Sequence, residues 1–194
     1  MPALSIIIIS IAVALFGLAP SSHAQVADPH VTFSNYDDAA TGNPAFRIPE
    51  YFDMGKTAAD PANPNKLNIG LSTFAVGSIP NPLAPWSIIQ LPSIAYDTIS
   101  FTVTAPEGFS LSSITLAESA TLTSSRFGSS TFSGVGVVDG KTTSLPNNTP
   151  VVFDLAGQQK TSVTVTMSAL LTTTGNQSGT LTAASATVAL TPAQ

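Results

Sequence analysis

The sequence predicts an all-β protein built as a two-sheet antiparallel sandwich, jelly-roll-like or immunoglobulin-like, with about eight or nine strands. Three observations carry this. Tyr96–Ala105 and Thr161–Thr174 alternate apolar and hydroxyl-bearing residues, and a period of two marks a strand with one face in a core. Turn signals made of Gly, Pro, Asp and Asn separate these stretches from their neighbours. Beyond the N-terminal segment no stretch keeps the 3.6-residue period of an amphipathic helix.

The chain opens on Ala3–Ala19, which is almost wholly apolar, followed by Pro20, with Ser22 and Ala24 as small residues. An apolar core followed by small residues at the −3 and −1 positions reads as a secretory signal cut after Ala24. No Lys or Arg precedes the apolar core. A retained anchor is the competing reading, although the segment is shorter than the ~20 residues that usually span a bilayer. The expected organisation is therefore residues 1–24 as a cleaved signal and residues 25–194 as one sandwich domain. Its first part, residues 25–85, is loop-rich. No second apolar tail follows at the C-terminus, so the mature chain is expected to be free of the membrane.

Within residues 25–85, His30–Tyr36 is a short β-like run and Lys56–Lys66 reads as a proline-containing loop. Leu67–Val76 reads as a strand, and Gly77–Pro85 as a proline-rich connection leading to the apolar run Trp86–Pro92. In Tyr96–Ala105, Ile99, Phe101 and Val103 take one face, and Thr98, Ser100, Thr102 and Thr104 the other. Pro106–Gly108 is a turn. Phe109–Thr123 is strand-like, with an apolar phase that slips between Leu111 and Ile114, as one inserted bulge residue would cause. After Phe127–Val138, Asp139–Gly140 is a two-residue hairpin signal. Val151–Leu155 is a short strand. Thr161–Thr174 puts Val163, Val165, Met167, Ala169 and Leu171 on one face, and Thr180–Thr191 closes the chain with another phase slip.

Composition narrows the functions. The 194 residues hold 6 Lys and Arg against 11 Asp and Glu, a net charge of −5. The basic residues are scattered, so no nucleic-acid footprint and no polybasic lipid patch is expected. The absence of cysteine excludes disulfides, thiolate metal sites and a cysteine nucleophile, and fits bacterial or archaeal export better than animal secretion. Threonine-rich faces with little charge pair easily at their edges, because charge is a main guard against such pairing. Tyr96–Ala105 and Thr161–Thr174 contain no Lys, which leaves them either central strands or edges meant to pair.

Chemistry is sparse. His30 is the one histidine after residue 24, and no Gly-x-Ser-x-Gly elbow surrounds Ser129, Ser133 or Ser168, so a Ser-His-Asp arrangement is not expected. Glu50, Asp53, Glu107 and Glu118 are the carboxylates to weigh for glycoside cleavage, which needs a facing pair; Glu118 matters only if it faces a cleft. Calcium takes carboxylate and carbonyl oxygens from loops, and Asp28, Asp37, Asp38, Glu50 and Asp53 are the candidate ligands, with Asp37 and Asp38 first. Trp86 and Tyr51 are candidate carbohydrate-binding aromatics. Asn147-Asn148-Thr149 and Asn176-Gln177-Ser178 fit the glycosylation triplet.

The function expected from these features is a secreted, non-enzymatic structural or matrix/surface protein. It self-associates, or joins another surface protein, through β-edge or donor-strand contacts, with residues 25–36 as the donor. The alternative is an extracellular carbohydrate- or calcium-binding module. No cofactor other than calcium is expected.

Overall fold

The alternating stretches become long paired strands, and their apolar faces meet across two antiparallel sheets. The computed structural model describes residues 28–38, 51–72, 75–77, 79–80, 90–91, 93–126, 128–175 and 177–193. In chain order the strands are β1 (Thr32–Asp38), β2 (Ala58–Asp60), β3 (Asn63–Asn68), β4 (Ala75–Gly77), β5 (Ile79–Pro80), β6 (Gln90–Leu91), β7 (Ser93–Thr104) and β8 (Phe109–Leu122). They continue with β9 (Ser124–Ser125), β10 (Gly128–Val138), β11 (Lys141–Leu145), β12 (Val151–Asp154), β13 (Ser162–Thr173) and β14 (Ser178–Pro192). The expected signal peptide, residues 1–24, lies outside the described residues, as do Glu50 and Trp86.

The first sheet runs β1-β7-β13-β10-β11, with β9 beside β10. The second runs β12-β8-β14-β3-β2, with β4 beside β14, and β5 and β6 form a separate ribbon. The inward positions on β7 and β13 are those the alternation assigned: Ile99, Phe101, Val103, Val165, Met167, Ala169 and Leu171 are fully buried and Val163 nearly so. From the second sheet Leu67, Ile114, Leu116 and Phe153 fill the same core. Burying each large side chain stabilises the fold by about 1.5–3 kcal/mol.

Both phase slips are bulges. Opposite β14, the register of β8 steps from Leu111 to Ser113 while β14 steps from Leu190 to Ala189, so Ser112 is the inserted residue. A second step at Leu181 and Ala183 makes Thr182 the inserted residue on β14. Asp139 and Gly140 close the β10–β11 hairpin at φ 50° and 78°, the left-handed pair that a two-residue turn of this kind requires.

Two expectations are corrected. The proline-containing stretch Lys56–Lys66 is not a plain loop: β2 and β3 pair across a turn at Pro61-Ala62. Pro64 is tolerated because β14 pairs only with Lys66–Asn68 of β3, so the missing N–H removes no bond from that ladder. Conversely, Leu67–Val76 is not one strand. It leaves β14 after Ile69, whose N–H reaches Ala184 O at 3.0 Å. Gly70 then packs on the Asp53–Lys56 turn so closely that a Cβ would come within 2.5 Å of Asp53 O and of Lys56 Cβ. The Gly70 carbonyl accepts the Asp53 N–H at 2.8 Å. Backbone demanded by that turn overrides the strand pattern.

Tyr96–Ala105 and Thr161–Thr174 are central, not edges. β7 is paired on both sides by β1 and β13, and β13 by β7 and β10. Their outward hydroxyls bond to one another across the ladders: Thr98 Oγ1 to Ser168 Oγ at 2.9 Å, Thr104 Oγ1 to Ser162 Oγ at 3.2 Å and Thr131 Oγ1 to Thr172 Oγ1 at 2.6 Å. The outward positions of β7, β13 and β10 carry no charged residue.

Candidate functional site

The outer strands show how this charge-poor sandwich presents its edges. β1 borders the first sheet on one side; it carries Asp37 and Asp38 beyond a bulge at Asn35, which has φ 51°. β11, on the other side, begins with exposed Lys141. In the second sheet β2 has three residues and β12 four. Shortness, bulges and charge are the devices that block edge-to-edge pairing.

The seams between the sheets are closed by two asparagine amides used as pieces of strand. On one side Asn65 of β3 accepts the Val31 N–H at 2.9 Å and donates to Pro29 O at 3.3 Å. This fixes the chain just ahead of β1. On the other side Asn147, between β11 and β12, accepts the Ala120 N–H at 2.7 Å and donates to Ala120 O at 2.9 Å. The amide nitrogen of Asn147, the first residue of a glycosylation triplet, is thus engaged on β8. Asn176, the other acceptor, lies outside the described residues.

Two carboxyl groups enter the core. Asp97 occupies an inward position of β7 and is buried. Its Oδ2 accepts the N–H groups of Tyr51 and Phe52, both at 2.7 Å, and its Oδ1 accepts the Thr98 N–H at 2.8 Å. A carboxylate thus accepts two successive backbone N–H groups of the chain that leads into the 3-10 turn Met54–Lys56. Burial first, and then the charge of Asp97, push the Tyr51 phenol above its ordinary value.

Glu118 occupies an inward position of β8 and is fully buried, and neither of its carboxyl oxygens has a hydrogen-bond partner. Burial pushes it up to about 8, because a charged carboxylate without partners is costly away from water. It fits because the residue facing it across the sandwich is Gly134, where a Cβ would overlap Glu118 Oε2 and lie 2.8 Å from Leu145 O. Gly134→Ala is therefore expected to destabilise the protein by about 1–3 kcal/mol, the usual range for overpacking a filled core. Thermal unfolding would check this; an unchanged midpoint would mean that the space around Glu118 is larger than the geometry indicates.

The expected calcium ligands do not converge as a set. Asp38 and Asp53 line one cavity of about 330 Å³, with Phe52, Met54, Gly55 and Ser72. Asp53 is already engaged there. Lys56 Nζ lies 2.7 Å from its Oδ2, and Ser72 Oγ donates to the same oxygen at 3.2 Å. The hydrogen bond from Lys56 is the chief cause that holds this carboxyl below its ordinary value. Asp37 is exposed on β1. Asp28 is exposed near His30, whose Nδ1 lies 3.3 Å from Asp28 O. Glu50 is outside the described residues. Among the described residues no three His, Asp or Glu side chains are grouped to hold a metal ion.

Of the expected sugar-binding pair, Tyr51 lies among the described residues. Tyr51 belongs to the core cluster and is 9% exposed, so its ring is not a surface platform; the bonds from Asp97 to residues 51 and 52 draw it inward. Phe52 is buried beside it, and Tyr36, on β1, packs its ring on Phe101 with centroids 6.3 Å apart. Asp97 is not among the expected site residues, although it shares the parity of Ile99, Phe101 and Val103. Likewise Glu118 shares the parity of Ile114, Leu116 and Ala120. Extending each apolar face by one step would have placed both acids inside.

No protein-family model matches the chain, and comparison with curated proteins finds no relative. The class is set by the fold: an antiparallel all-β sandwich without cysteine and, among the described residues, without a metal-binding group.

Proposed function

We propose that this chain is an exported, non-catalytic structural protein of a matrix or cell surface, and that copies assemble by exchanging strand β1. The observation that carries the reading is the placement of β1. It fills the edge of β7 from a distant part of the chain, pairing Thr32–Ser34 and Asp37–Asp38 with residues 99–104. Beside the ladder, Asn35 Nδ2 donates to Thr102 Oγ1 at 3.3 Å and Ser100 Oγ donates to Asp37 O at 3.4 Å. Val31 is buried, Phe33 meets Phe101 edge-on at 6.2 Å, and Asn65 clamps the entry. Guarded edges disfavour simple edge-to-edge growth. A strand docked in its own chain can, however, dock in the same way on a neighbour, as in donor-strand complementation and domain swapping. Residues 39–50, between β1 and Tyr51, span up to ~40 Å when extended, enough to reach an adjacent copy. Topology of the jelly-roll or immunoglobulin kind would suit such an exchange, since both sandwich plans leave a terminal strand at a sheet edge.

A reversible lock tests this. Ser34 and Thr102 are direct partners in the β1–β7 ladder, and the chain has no cysteine of its own. Ser34→Cys with Thr102→Cys should close a disulfide that holds β1 in its own chain, since paired antiparallel positions lie within disulfide reach. Light scattering of the chain from Gln25 should show large particles for the unmodified protein. The oxidised lock should stay monomeric, and reductant should restore growth. Equal growth of the locked form would end the exchange reading; a monomeric unmodified protein would end the assembly reading. Millimolar calcium belongs in the same series, because Asp38 and Asp53 share a cavity and calcium-dependent growth would give them a role.

A further inference from the structure

The connector between β11 and β12 is Pro146–Pro150, and it crosses from one sheet to the other over the edge of β8. β12 covers that edge only from Ser113 to Leu116. Beyond it the connector takes over. The Asn147 amide holds the Ala120 N–H and C=O, and the Asn148 N–H donates to Glu118 O at 3.0 Å, with Asn148 at φ 57°. Directly beneath, the Glu118 side chain turns into the core opposite Gly134, with no partner for either oxygen.

We propose that the connector is a latch over the β8 edge, that ionisation of Glu118 releases it, and that the freed edge pairs with the same edge of a second copy. The proposal rests on the reading that copies assemble through their strands and adds a second, pH-gated contact to it.

Among the described residues, none of the elements packed around Glu118 brings a positive charge to it. β10, β13, β14 and the connector contain no titratable residue. On β11 the one charge is Lys141, at the opposite end from Leu145 and exposed; on β12 it is Asp154, also exposed. On β7, Asp97 lies in the same cross-strand row as Ala169 and Gly134. Its carboxylate is taken up by three N–H groups. Ionised Glu118 must therefore reach water. β10 and β14 are each held by long ladders, whereas the connector is exposed apart from half-buried Asn147 and grips β8 through three hydrogen bonds. The connector is the part that yields. Burial, which pushes Glu118 up to about 8, sets the release on the alkaline side of neutrality.

The occupant follows from what the latch hides. Residues 117–122 form a stretch as long as a typical strand. The outward residues Ala117, Ser119 and Thr121 are small and uncharged, so they lack the usual charged guard against pairing. An antiparallel two-fold contact sets each copy's stretch against its own equivalent, with no like charges on the outward face.

The test uses the oxidised Ser34→Cys/Thr102→Cys chain, so that β1 exchange is silent, at pH 6.5 and 9.5. Hydrogen exchange at the Ala120 amide reads the latch, and sedimentation reads the pairing. After correction for the base-catalysed rate, Ala120 protection should fall at least tenfold at pH 9.5 and a dimer should appear. Glu118→Gln should keep both protection and monomer at pH 9.5. Asn147→Ala should lose protection and dimerise already at pH 6.5. Equal protection in the parent and Glu118→Gln at pH 9.5 overturns the latch, even if Asn147→Ala fails to fold. Lost protection with a persistent monomer overturns the pairing. Neither result bears on β1 exchange, which the unlocked protein reports separately.

Discussion

Raising the pH from about 5 to about 8 is expected to destabilise the folded protein by several kcal/mol, and Glu118→Gln to remove most of that loss. In the unfolded chain Glu118 ionises near its ordinary value of 4.5; in the folded protein burial holds the proton until about pH 8. Between those values the folded state binds one proton that the unfolded state does not, so stability falls with rising pH. The slope approaches about 1.4 kcal/mol per pH unit where the difference is a full proton. Above about pH 8 both states are ionised at this position and the decline levels off. Asp53 and Asp60 act with the opposite sign. Both are held below their ordinary value, by the hydrogen bond from Lys56 and by the Ala62 N–H respectively. Their contribution is present above the unfolded value and lost as the pH falls, so it lies on the acid side and does not mask the decline due to Glu118. Urea unfolding between pH 4 and 9.5 would measure the slope. A flat profile from pH 5 to 8 in the unmodified protein, or the same profile in Glu118→Gln, would show that water or a partner reaches the carboxyl.

Asp97→Ala is expected to cost on the order of 3–5 kcal/mol, since hydrogen bonds to a charged group contribute more than neutral ones and buried donors left unpaired are expensive. Asp97 satisfies the N–H groups of Tyr51 and Phe52 from inside the core. Removing it takes that acceptor from both. Asp97→Asn should cost less, because its side-chain oxygen still accepts from residues 51 and 52. The loss should centre on the segment from Tyr51 through the 3-10 turn, where faster hydrogen exchange at the Phe52 and Asp53 amides should accompany the lower midpoint. A change below about 1 kcal/mol, within the range of an ordinary surface substitution, would mean that these amides find other partners and that Asp97 is dispensable.

Both predictions turn on acids that side-chain alternation places inward, which shows where legibility stopped. Alternation identified β7 and β13 and their buried faces, because the side-chain period of a strand is fixed by the pleat. It also showed one phase slip between Leu111 and Ile114 and another within Thr180–Thr191, because an inserted residue shifts that period; pairing with the neighbouring strand placed the bulges at Ser112 and Thr182. Asp139-Gly140 announced its hairpin because few residues tolerate two consecutive positive φ angles. Nearness in sequence did not fix where these side chains lie: Asp37 is exposed on β1, Asp38 and Asp53 line one cavity, and Tyr51 is held by an aspartate 46 residues away.

The sequence by itself determined the long alternating strands β7 and β13, their inner and outer faces, the phase slips on β8 and β14 and the tight hairpin. Each of these depends on residues within a few positions of one another, where pleat, side-chain branching and φ preference act directly. Only the tertiary structure decided which strands are central, that the edges are guarded, that Asn65 and Asn147 close the seams and that Gly134 makes room for Glu118. Those outcomes depend on pairings between residues far apart in the chain, selected by how two apolar faces fill a shared core, and no local pattern specifies which distant strand supplies the partner.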